Sequence, residues 1–184
     1  MHPAFLYLPG TRLSIAELAA ARIDGHLVEL GDAYIPADLV EGAHTRAASI
    51  AHLVQPGAAA SGPSAAWIHG AGDVPPTRHH VSRAVARRIR PVQHPRVVFH
   101  DSPVARTDVQ PIDTIEVTTV ERTLIDLALG LQRDPLLARW LEALAHLVPD
   151  GIGRASAYIA SRNRLPGSRS AAAARDARRD LRTT

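Results

Sequence analysis

Apolar positions recur at helical spacing just after Ser14. Ile15, Leu18 and Ile23, with Arg22 among them, form one mostly apolar stripe, which predicts a helix. Ser14 and Glu17 have the spacing of a capping box, in which each side chain satisfies an orphan amide of the first turn. Gly25 is suited to end that helix. The periodicity then changes from helical to alternating. "HLVELGDAYIP" reads as two short strands, near His26–Leu30 and Ala33–Pro36, around the two-residue turn Gly31-Asp32. A helix followed by a hairpin is the second half of a winged helix. A full one has two more helices ahead of it, and thirteen residues precede Ser14. The expectation is a truncated winged-helix-like element.

Further along, "HTRAASIAHLV" carries Ala47, Ile50, Ala51 and Val54 on one side and predicts a second helix. "PGAAASGP" reads as a small-residue linker. "PSAAWIHG" predicts a short helix with Pro63 near its start and Gly70 as its cap. "HHVS", "PRVVFHD" and "DTIEVTT" predict strands, separated by turn clusters such as "SPVARTDVQPID". Thr118 and Glu121 suggest another capping box. The helix behind it places Val120, Leu124, Leu127, Ala128 and Leu131 on one face. Asp134-Pro135 opens a helix running to about Val148, and another is expected to about Asn163. The tail "RSAAAARDARRDLR" is helical by propensity. The fold class expected is α+β. Its N-terminal element and linking helix span 1–56, and a mixed α/β domain ending in a helical segment spans 57–184.

Charge adds position to this pattern. All 21 basic residues are arginine, as in a GC-rich coding sequence, so their number says less than their placement. Residues 1–66 carry a net −3, residues 67–110 +4, residues 111–150 −4 and residues 151–184 +6. Such asymmetry marks a polyanion-facing surface or a solvated face. The densest patch is Arg83, Arg87, Arg88 and Arg90 in "SRAVARRIRP". Arg175, Arg178, Arg179 and Arg182 share a face of the tail helix. Arg12 and Arg22 flank the winged-helix-like helix. The chain has no cysteine, which removes disulfides, thiolate zinc sites and cysteine nucleophiles. Without a membrane-spanning run or a signal-peptide pattern, a cytoplasmic protein is expected.

The densest cluster of candidate chemistry is "AAWIHGAGDVPPTRHH". A metal site would need converging ligands. His79 and His80 are adjacent, so on a strand they point to opposite faces, and only one of them can join His69. The cheaper reading is a helix with Trp67 on its core face, His69 in its last turn where the helix dipole favours a cationic or donor side chain, Gly70 as cap, then a stiff turn and a strand. No phosphate loop or nucleophile elbow occurs. Asp101, Asp108 and Asp113 lie near strands as in metal-dependent nucleases, but the chain has no lysine to complete such a site. No metal or other cofactor is expected.

"AAWIHGAGDVPP…HHVS" followed by "VVFHDSPVARTDVQPIDTIEVTTVERTLIDLA" resembles the antitoxins of AbiE-type toxin–antitoxin systems (the AbiEi family), in particular short actinobacterial members. The matching segments are Trp67-Ile68-His69-Gly70, His80-Val81-Ser82, Val98-Phe99-His100 and the block from Val117 to Ala128. That block is the most specific part. "LPGSRSAAAARDARR" is similar to the family's Arg-rich closing helix. The resemblance covers residues 65 to about 180. It implies an antitoxin-like domain behind a winged-helix DNA-binding domain, repression of its own promoter, and opposition to a nucleotidyltransferase-like toxin. Here the N-terminal region is short and acidic.

Three function classes follow. The first is a non-enzymatic transcription regulator that binds operator duplex DNA through its arginines and opposes such a toxin. The second is a small metal-dependent nuclease-like enzyme using Asp101, Asp108 and nearby histidines. The third is a protein–protein adaptor. Arg122 and Asp126, at i,i+4 spacing, are expected to form a structural ion pair.

Overall fold

The computed structural model describes residues 5–151 together with 153, 156 and 157. The tail arginines Arg175, Arg178, Arg179 and Arg182, the closing helix and most of the helix expected to Asn163 lie outside the described residues.

Helix α1 (Ile15–Ile23) starts where its sequence signal places it. The Ser14 hydroxyl accepts from the Glu17 amide, and the Glu17 carboxylate accepts from the Ser14 amide at 2.8 Å. Strands β1 (Leu27–Leu30) and β2 (Ala33–Pro36) follow as the expected antiparallel hairpin, with Leu30 opposite Ala33. Its turn packs tightly on helix α2 (Ala43–Ser49). A Cβ on Gly31, whose φ is +60°, would lie 2.3 Å from the Ser49 hydroxyl.

The second helix is shorter than its apolar pattern suggests. The Ser49 hydroxyl donates back to the Arg46 carbonyl at 2.8 Å, Ile50 leaves helical geometry, and a 3₁₀ turn at Ala51–Leu53 completes the segment. Arg46 on α2 is buried. It donates to the carbonyls of Trp67 (2.7 Å) and Gly72 (2.8 Å), pairs with Glu41, and sits 5.3 Å over the Trp67 ring. A buried guanidinium is tolerated because its donors meet acceptors.

The segment expected as a linker is the centre of the main sheet. Strand β3 (Ala58–Ala60) lies in a five-stranded sheet of order β5-β4-β3-β7-β6. β4 is His79–Arg83, β5 Val97–His100, β6 Val109–Ile112 and β7 Ile115–Thr118. β3 runs antiparallel to β4 and parallel to β7. Alanine is a poor strand former, but both neighbours pair with it and all three residues are buried. β6 is likewise a strand inside an expected turn cluster. It is an edge strand, which is why it accommodates Pro111.

Helix α3 (Gly62–Ile68) leaves β3 directly, with Pro63 in its first turn and Gly70 at φ +103° beyond its end. Helix α4 (Val120–Gly130) is capped by Thr119, not Thr118: the Thr119 hydroxyl accepts from the Arg122 amide at 3.3 Å. Thr118 still belongs to β7, and its buried hydroxyl bonds to that of Thr123 at 2.8 Å. Helix α5 (Leu137–Leu147) packs on α3 and α4. One apolar cluster joins Leu30, Ile35, Ala47 and Ile50 to Trp67, Val117, Leu124, Trp140 and Leu144, so residues on both sides of position 56 share a core. The architecture is α+β. Among the described residues no helix is long and apolar enough to cross a membrane.

Candidate functional site

β4 and β5 are parallel neighbours joined by an irregular segment, residues 84–96. It contains Arg87, Arg88, Arg90, His94 and Arg96 and no carboxylate. Connections of this length without secondary structure are uncommon, and are either functional loops or disordered linkers. This one is fastened at several points. The Arg83 guanidinium donates to the carbonyls of Val85 (3.0 Å) and Ala86 (2.6 Å) and is held by Asp101 at 2.9 Å. The Gln55 side chain forks onto the backbone further along, donating to the Arg90 carbonyl at 3.1 Å and accepting from the Val92 amide at 2.7 Å. Val85 and Ile89 lie over Gly57, where an added Cβ would meet them at 3.3 and 3.7 Å. Arg87 and Arg88 stand exposed between these fastenings.

Arg83, expected among the DNA contacts, is therefore an internal clamp. It is buried, and its donors are spent on Asp101 and two carbonyls. Arg88 is an exposed neighbour of Asp101 at 3.9 Å, a surface pair of little energetic weight. Arg87 and Arg90 have no ion pair among the described residues. Arg96 pairs with Asp32 of the hairpin turn at 2.5 Å. At the N-terminal element, Arg12 is exposed, and Arg22 lies 3.3 Å from Glu29 on β1. The hairpin thus offsets the one arginine inside α1.

A second polar group gathers near the ends of β5 and β7. His80 Nδ1 and His100 Nε2 are 3.1 Å apart, with their rings stacked at 5.2 Å between centroids. Arg122 donates to Asp126 at 2.9 Å and to Asp108 at 3.2 Å. The expected Arg122–Asp126 pair is thus present and extended by a third member. Burial raises the Asp126 carboxyl despite Arg122, and His100 lies near enough to feel its charge. His69 is within 2.7 Å of the Thr118 carbonyl, so its Nε2 must carry the proton and donate. Burial holds its pKa below the ordinary histidine value. It is a neutral latch between α3 and β7, not a cation at a helix end.

His79 and His80 point to opposite faces, as adjacency on a strand requires. His79 is fully buried beside the Ser64 hydroxyl, 3.3 Å from its Nδ1. The His80–His100 pair was hidden in the sequence because it depends on the β4–β5 register, which sets His80 opposite Val98 and Ser82 opposite His100. The nuclease candidates are not brought together. Asp101 follows β5 and Asp108 precedes β6, on opposite edges of the sheet, and each is occupied by an arginine. Among the described residues no group of three or more His, Asp or Glu side chains is placed to hold a metal ion.

The Arg122 network makes a direct prediction. Arg122→Ala strands two largely buried carboxylates and should cost roughly 2 kcal/mol of stability in urea denaturation. If the chain binds duplex DNA, that affinity should stay within twofold. Lost affinity at unchanged stability would move Arg122 into the binding surface.

No family model matches the chain, and no curated protein matches it. Among solved structures it is similar to the RV2827C protein from Mycobacterium tuberculosis. Sequence identity is 20%, the match covers 88% of this chain and 70% of that one, and the TM-score is 0.36. A likeness at that level assigns neither fold family nor function.

Proposed function

We propose that the protein is a non-enzymatic, antitoxin-like regulator that binds duplex DNA, chiefly through the segment 84–96. The observation that carries this reading is the fastened, carboxylate-free segment that holds Arg87, Arg88 and Arg90 out to solvent. Arginines on a pre-ordered backbone contact phosphates without a large ordering cost. The winged-helix-like element is a secondary contact: we read α1 and the β1–β2 hairpin as the second half of such a fold, but Glu29 offsets Arg22. Opposition to a nucleotidyltransferase-like toxin rests on the resemblance of residues 65 to about 180. A gene for such a toxin beside this one would be the observation that joins the two.

The test is fluorescence anisotropy on duplex DNA across a salt series. Each arginine that neutralises a phosphate charge, on the backbone or from within a groove, contributes roughly 0.9 to the log–log slope. Arg87→Ala with Arg88→Ala should weaken binding and lower the slope by about two. Arg12→Ala with Arg22→Ala should have the smaller effect. If the N-terminal pair abolishes binding while the central pair leaves it unchanged, the interface lies on α1. Absence of binding at low salt would favour an adaptor.

A further inference from the structure

We infer that segment 84–96 reads the narrow minor groove of A·T-rich duplex DNA, with Arg87 entering the groove and Arg88 and Arg90 on its flanking phosphates. This rests on the DNA-binding reading above and goes beyond it by naming the groove and the base composition. The first reason is shape. An α-helix is about 10–12 Å across and fits only the major groove, whereas the minor groove is about 6 Å wide. The arginines here sit on irregular backbone with no helix around them. Such a segment can place a single planar guanidinium in the narrow groove.

The second reason is the placement of the fastenings. Arg83 holds the carbonyls of Val85 and Ala86, and Gln55 holds the carbonyl of Arg90. The exposed tip is therefore short, and it begins with Arg87 beside the small, exposed Ala86. Pro91 restricts Arg90 to extended backbone. Arg88 leans toward Asp101, 3.9 Å away, while Arg87 has no ion pair among the described residues. Arg90 also lacks an ion pair among the described residues, but Gln55 and Pro91 hold its backbone, so Arg87 is the cation left to follow the strongest field. That field lies in the minor groove of A·T tracts, where narrowing concentrates the negative potential of the two phosphate rows.

The experiment uses the full chain and three DNA duplexes of equal length: an A·T tract, a G·C duplex, and the same G·C duplex with inosine for guanine. Inosine removes the guanine amino group from the minor groove and leaves the major-groove edge intact. The expected result is on the order of tenfold tighter binding to the A·T tract than to G·C, with the inosine duplex close to A·T. Arg87→Lys keeps the charge and should lose most of the preference, since a lysine ammonium is more strongly hydrated. Arg90→Ala should weaken all three about equally. Circular dichroism checks that the variants, both at exposed positions, retain their fold. Equal wild-type affinity for A·T and G·C overturns the inference but leaves DNA binding standing. So does an inosine duplex that behaves as G·C, or a preference that survives in Arg87→Lys. Tighter binding to an A-form RNA duplex, whose minor groove is wide and shallow, also overturns it. No binding to any duplex removes the DNA-binding reading itself.

Discussion

Trp67→Ala should destabilise the protein by about 3–5 kcal/mol, the range for emptying a large aromatic site in a core. Trp67 is wholly buried on α3. It belongs to the apolar cluster that joins the N-terminal elements to the sheet and to α4 and α5. Its loss has two further consequences. The Arg46 guanidinium, 5.3 Å from the ring, loses the aromatic face beneath it. The turn after α3 loses the bond from the indole N–H to the Asp73 carbonyl at 3.4 Å. Arg46 would keep its carbonyl partners, so the cavity dominates. Chemical denaturation monitored through the remaining tryptophan, Trp140, measures the effect. A change below about 1 kcal/mol would mean that the site collapses around the gap, and that α3 does not organise the core.

Acidification should cost about 3 kcal/mol of stability between pH 7 and pH 5. Burial holds His79 and His80 at about 4, against 6.5 for an unperturbed histidine. His69 and His100 are also lowered, again by burial first. The sign follows from proton binding. Between pH 6.5 and 4 the unfolded chain holds protons on these histidines that the folded chain refuses, so stability rises with pH through that window. It is fully present above 6.5 and lost as pH falls toward 4. Asp32 eases the charging of His79, whereas Arg96 and His52 oppose it. Around His80, Asp134 eases charging, whereas His100, Arg78 and His79 oppose it. His80 is partly open to water, so its share is smaller than a dry site would give. Urea denaturation at the two pH values provides the measurement. His79→Phe should flatten the dependence, and a wild-type stability equal at pH 7 and pH 5 would show that these histidines charge freely in the folded protein.

Local signals were legible along the chain. Ser14 and Glu17 meet within one turn, Gly31-Asp32 joins adjacent strands, and Arg122 and Asp126 are one helical turn apart. Spacing alone decides such contacts, because the backbone geometry between the partners is nearly fixed. The alternation that sends His79 inward and His80 outward is of the same kind. So was the density of arginine in 84–96, although its exposure was not.

Tertiary structure decided the rest. Ala58–Ala60 has no intrinsic preference for a strand. It becomes one because β4 and β7 supply hydrogen bonds on both sides and bury it. Val109–Ile112 pairs only because its proline falls on an outer edge. Arg83 reads in sequence as one of four equivalent arginines. The fold buries it against Asp101 and the carbonyls of Val85 and Ala86 and leaves Arg87, Arg88 and Arg90 outside. His80 and His100 are twenty residues apart in the chain and meet only through the β4–β5 register. In each case the deciding partner is distant in sequence. Burial and pairing energies then outweigh the few tenths of a kcal/mol by which local preferences differ.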